Sequence, residues 1–103
     1  MDDATLALAT TTVAVDRLRD LALGDTAEVE DMAAALQALA RTGQPHESVL
    51  GLLCDLLDDL TARLDGDGRE AAAEDVNEAI GFIRGDAVPR LRSALATITG
   101  SQP

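Results

Sequence analysis

The sequence predicts an all-α protein, a compact antiparallel four-helix bundle whose fourth helix is kinked or split near Pro89. Apolar residues recur at the 3–4 spacing of an amphipathic helix over most of the chain, and strand signals are few. Turn signals that combine Gly or Pro with polar capping residues separate these segments at Gly24, Gly43–Pro45 and Gly66–Gly68. Because connections this short join antiparallel neighbours in helical bundles, we expect an up-and-down arrangement around one core.

The first helix is expected from about Asp3 to Leu23. Its main apolar stripe follows a 4-3-4-3-4 spacing through Ala4, Leu8, Thr11, Val15, Leu18 and Ala22. Leu6 and Val13 fall on the opposite side, so the first half of this helix is apolar on nearly every side. The β-branched run "TTTVAV" weakens the helix prediction and favours a short strand as the alternative.

The second helix is expected over Thr26–Thr42. Asp25 at the N-cap and Glu28 three residues later would form a capping box, and Gly43 would end the helix. Its apolar face would consist of Val29, Met32, Ala33, Leu36, Leu39 and Ala40.

The third helix carries the clearest pattern. Pro45 stands at its expected first position, where the missing N–H of proline costs no hydrogen bond. A leucine seam with 3-4-3-4 spacing follows, at Leu50, Leu53, Leu57, Leu60 and Leu64. Val49 and Leu56 widen the seam. Because the seam is too short for a free-standing coiled coil, we expect it to lie in the core of the bundle.

The fourth helix is expected to begin after Gly68. Its apolar face runs through Val76, Ala79, Ile80 and Ile83, then nearly in phase through Leu91, Leu95 and Ile98. Pro89 would clash with the carbonyl of Gly85 in a straight helix, so either one helix kinks there or two helices meet. We expect residues 1–99 to form a single helical bundle domain and residues 100–103 to be a disordered tail.

Charge and composition exclude several classes of partner. The net charge of −11, with no lysine, repels phosphate backbones and anionic lipids, so neither nucleic acid nor membrane is an expected partner.

The uncharged run Ala4–Val15 is too short to span a bilayer. Cys54 is the single cysteine, so no intramolecular disulfide can form. We expect a cytoplasmic protein, and an unconventional secretion route is the alternative. The Ala-, Asp- and Arg-rich usage is typical of a high-GC bacterium.

The stretch "RLDGDGREAAAE", residues 63–74, partly matches a calcium-binding loop. With its second glycine at loop position six, Asp65, Asp67 and Glu74 stand at ligand positions, but an arginine occupies the first ligand position. Asp67 as N-cap with Glu70 three residues later explains the same residues as a capping box after a turn. We therefore predict a turn, and a divalent-metal site at Asp65, Asp67 and Glu74 is the weaker alternative.

No catalytic residue and no cofactor are predicted. Asp55, Asp58 and Asp59 lie within one helical turn of each other, and we expect a solvated acidic face opposite the leucine seam. A di-iron site would need two Glu-x-x-His motifs, whereas His46 is the only histidine. Cys54 lies eight residues away, about 12 Å along a helix, so we expect a buried and inert thiol.

The sequence therefore predicts a small acidic, non-enzymatic protein that acts through protein–protein contacts as an adaptor or regulatory module, and self-associates as a homodimer. Leu6, Val13 and Phe82 lie off the main stripes and are the candidate interface. Residues 25–83 carry a net charge of −11 and residues 84–103 a net charge of +2, which suits antiparallel or head-to-tail self-association. Alternative functions are a degenerate EF-hand-like divalent-metal sensor and an acidic decoy of a nucleic-acid-binding surface. No small-molecule substrate is evident.

Overall fold

The computed structural model describes residues 2–40 and 47–100. Its elements are α1 (Asp3–Leu23), α2 (Val29–Leu39), α3 (Val49–Gly66), α4 (Glu70–Phe82), a π-helical segment (Ile83–Ala87) and α5 (Val88–Thr99). The last three are continuous, so the described residues form four helices in the predicted order, and the all-α helical bundle is confirmed. The chain divides into two units, Met1–Ala35 and Leu36–Pro103.

Helix α1 has the predicted bounds, and the strand alternative for its threonine run is wrong. The carboxylate of Asp2 accepts a hydrogen bond from the backbone N–H of Thr5 at 2.7 Å and caps the first turn. The hydroxyls of Thr10, Thr11 and Thr12 donate to carbonyls four residues back, at 2.9–3.1 Å. These bonds satisfy the hydroxyls inside the helix, so three consecutive β-branched residues do not end it.

Gly24 follows the last residue of helix α1, and its backbone lies close to the carbonyl group of Asp20. The Gly24 N–H donates to the carbonyl of Asp20 at 2.9 Å. A Cβ at this position would lie only 2.6 Å from that carbonyl oxygen, which no side chain tolerates without a backbone shift. The glycine is therefore required by close approach rather than by a left-handed conformation.

Helix α2 begins three residues later than predicted, and the capping box of Asp25 with Glu28 is wrong. Glu28 is itself the N-cap: its carbonyl accepts from the Met32 N–H at 3.2 Å. Its own N–H donates to the carboxylate of Asp31 at 2.9 Å. Asp31 reaches back from the N3 position as the second residue of a capping box does, so it displaces the predicted cap. The predicted helix end at Gly43 lies outside the described residues.

In the second unit, α3 and α4 form an antiparallel hairpin. Ser48 is the buried N-cap of α3, and its hydroxyl accepts from the Gly51 N–H at 3.0 Å. Helix α3 therefore begins at Val49, and the start predicted at Pro45 lies outside the described residues. A short turn at residues 67–69 reverses the chain, with Gly68 in the left-handed region at φ +80°. The prediction of a turn in this stretch is confirmed.

The predicted capping box of Asp67 with Glu70 is wrong. Helix α3 continues to Gly66, so Asp67 follows its last turn instead of preceding α4. The carboxylate of Asp67 accepts from the Arg63 Nε at 3.2 Å, one turn back on α3. The N-cap of α4 is Arg69, whose side chain makes no capping hydrogen bond. The Asp67 carboxylate, which was predicted to cap α4, instead pairs with Arg63.

The leucine seam of α3 is only partly buried. Leu50, Leu57 and Leu64 are half-buried, whereas Leu53 and Leu60 are 40% and 43% exposed. The covered side of the helix runs through Leu50, Cys54, Leu57, Thr61 and Leu64. At 3.6 residues per turn, the centre of this covered side is rotated around the helix by about 40° from the centre of the predicted seam. The seam prediction is therefore wrong for Leu53 and Leu60, because the neighbouring elements cover one flank of the stripe and not its middle.

The fourth helix is neither split nor interrupted at Pro89. Residues on both sides of the π-helical segment keep right-handed helical angles, and the Val88 N–H donates to the carbonyl of Ile83, five residues back. The wider turn accommodates the proline, which has no N–H and would crowd the carbonyl four residues before it in a regular α-helix. Gly100 ends α5 in the left-handed conformation at φ +75°.

Over residues 2–40 and 47–100, no helix has both the length and the apolar character needed to cross a membrane. The predicted single domain over residues 1–99 stays a prediction. Of the predicted tail, only Gly100 lies within the described residues.

Candidate interaction surface

The three residues of the predicted interface are all exposed. Leu6 and Val13, on α1, are 57% and 54% exposed. Phe82, the last residue of α4, is 72% exposed. Phe82 lies on the face of α4 that carries Asp75 and Glu78, away from the buried side chain of Ile80. Leu6 and Val13 belong to the first unit and Phe82 belongs to the second.

Helix α1 exposes apolar side chains on all sides, as its sequence suggests. It contains no buried residue. On the predicted stripe, only Leu18 and Ala22 are half-buried, while Leu8 is 66% exposed. Isolated helices draw little stability from propensity alone and depend on covering an apolar face. A helix with this surface is expected to gain stability from any surface that covers it.

A second apolar surface lies on α3 and was not predicted. We call it the leucine face, and its residues are Val49, Leu52, Leu53, Leu56 and Leu60. Their exposed fractions range from 40% for Leu53 to 56% for Leu52. The i, i+3, i+4, i+7 and i+11 spacing aligns these side chains on one side of the helix. It is thus a continuous apolar strip, not a set of scattered exposed leucines.

The leucine face has defined dimensions and flanks. From Val49 to Leu60 it extends over about 16.5 Å at 1.5 Å per residue. No charged side chain interrupts it between those residues, although Asp59 borders it and Arg63 stands just beyond its C-terminal end. A strip one helix wide and three turns long is the shape that a second amphipathic helix covers.

The signal for this surface was present in the sequence. The segment "VLGLLCDLLDDL" places seven apolar aliphatic residues within twelve positions. One helix–helix contact buries a stripe of about three positions in seven, so this density exceeds what one neighbour can cover. Leu52 lies outside the 3-4-3-4 seam, and it extends the apolar surface of α3 beyond that seam.

The predicted acidic face of α3 is not wholly solvated, because Asp58 is recruited to a salt bridge. Its carboxylate accepts from the Arg84 guanidinium at 2.6 Å, which joins α3 to the π-helical segment. Hydrogen bonding to Asp58 raises the pKa of Arg84 above its usual value. Asp55 is half-buried, and Asp59 is the exposed member of the cluster. The salt bridge links the wider turn of the fourth helix to α3.

A cavity of about 250 Å³ opens beside the first turns of α3, within the second unit. Cys54 lines it as a free thiol that is 2% exposed, which agrees with the predicted buried thiol. The charged groups of its lining are Asp55, Arg84 and Arg92. Since Asp58 also neutralises Arg84, the cations are balanced by carboxylates, and the cavity offers no excess charge to an anion. His46, the other residue weighed for nucleophilic chemistry, lies outside the described residues.

The residues of the alternative metal site are not gathered around one point. Asp65 and Glu74 line an open acidic groove between α3 and α4, together with Asp58 and Glu70. Asp67 instead pairs with an arginine on its own helix. Within the described part of the chain, no group of three or more His, Cys, Asp or Glu side chains is arranged to hold a metal ion.

No protein-family model, curated protein or solved structure matches the chain.

Proposed function

We propose that this protein is a non-enzymatic helical interaction module that self-associates as a homodimer. The observation that carries the proposal is the exposed leucine face of α3, a continuous apolar strip on a small and strongly charged chain. Monomeric proteins scatter single apolar residues over their surfaces, whereas contiguous strips are typical of interaction sites. The exposed apolar residues Leu6, Val13 and Phe82 supply further surface for the same purpose.

The strength of the association can be bounded from the exposed leucines. Full burial of a leucine side chain contributes about 1.5–3 kcal/mol, so a half-exposed one retains about 1 kcal/mol for a partner. Four leucines on each of two copies then supply about 8 kcal/mol before the cost of association is subtracted. That total corresponds to a Kd of about 1 µM as the tightest value, so we expect a reversible dimer.

The test is the mass of the full-length protein in solution as a function of concentration. Sedimentation velocity and multi-angle light scattering, from about 1 µM to about 1 mM, cover the free energies from about −8 to −4 kcal/mol. The proposal predicts a rise from the monomer mass of 10.7 kDa towards twice that mass. A constant monomer mass across the whole range would refute self-association.

A cytoplasmic location belongs to the same proposal. It is supported by the free, buried thiol of Cys54, which needs no oxidising compartment to fold. The non-enzymatic part of the proposal is supported by the lining of the α3 cavity, where Arg84 pairs with Asp58 and the remaining charged groups are Asp55 and Arg92. Incubation with generic esterase, phosphatase and protease substrates is expected to give no turnover above buffer.

A further inference from the structure

We draw no further inference here: the strongest candidate, the exposed leucine face of α3 in the second unit, is an unpartnered apolar surface, and nothing in the structure shows what covers it.

Discussion

Replacement of Ile80 by alanine gives the sharpest test of how the α3–α4 hairpin is held together. Ile80 is 4% exposed and lies on the inner face of α4, with Ala73 two turns earlier on the same face. Substitutions of buried Ile by Ala cost about 2–5 kcal/mol, and the cost falls when neighbouring groups can close the cavity. The core of this hairpin has few large side chains and can close, so we expect a loss of about 2–3 kcal/mol.

The free energy of unfolding can be measured by urea titration with far-UV circular dichroism. Tryptophan fluorescence cannot serve, because the chain has no tryptophan. Phe82→Ala is the matched control, two residues away on the same helix and 72% exposed. It removes a larger side chain, yet we expect a change within about 0.5 kcal/mol, since an exposed side chain loses little packing.

Two results would contradict this account of the hairpin. A loss below about 1 kcal/mol for Ile80→Ala would mean that the α3–α4 contact is not a folded core. An equal loss for Phe82→Ala at low protein concentration would mean that the exposed aromatic is covered within one chain. If the Phe82→Ala loss grows only as the protein concentration rises, Phe82 lies in the dimer contact, because partner binding stabilises the folded state by mass action.

Three further perturbations follow from local geometry. Gly81→Ala, with open space around its Cβ, should raise the free energy of unfolding by about 0.4–1 kcal/mol in urea titrations, whereas Gly68→Ala at φ +80° should lower it. A double-mutant cycle on Arg84 and Asp58, both about half exposed, should give a coupling of about 0.2–1 kcal/mol that falls in high salt. The capping hydrogen bond to Asp2 lowers its pKa below the ordinary value of 3.8. The cap is therefore fully present above that value and is lost as the pH falls through the folded pKa, which amide exchange in the first turn of α1 should report. No change in that exchange at acid pH would refute the cap.

The order and number of the helices could be read from the sequence because they depend on local chemistry. Helix α1 begins after a capping aspartate and ends at a glycine, and both signals lie within one turn of the boundary. The start of α2 was misplaced because Asp25, Glu28 and Asp31 repeat an acidic residue every three positions. Any consecutive pair of these can form a capping box, so the local pattern alone does not choose the register.

Burial could not be read in the same way, and this limited the prediction of the candidate surface. Periodicity identifies which leucines share a side of α3, but the side that is covered depends on where the following helix returns. The turn at residues 67–69 returns the chain along the flank of Cys54 and Leu57, where the salt bridge from Arg84 to Asp58 also joins the fourth helix to α3. Leu53 and Leu60 are left at the edge of the exposed face. Exposure of Leu6 and Val13 was predictable because no single neighbour covers opposite sides of one helix.

The net charge of each copy determines how self-association must respond to salt. Two chains that each carry −11 repel, and an apolar contact has to overcome that repulsion. Since the Debye length falls from about 30 Å at 0.01 M to about 10 Å at 0.1 M ionic strength, added salt should tighten the dimer. An acidic decoy bound to a basic partner would show the opposite sign, because salt screens the attraction between unlike charges. Sedimentation at these two ionic strengths therefore separates the two modes of action: a dimer that weakens in salt would be held by ion pairs and not by the leucine face.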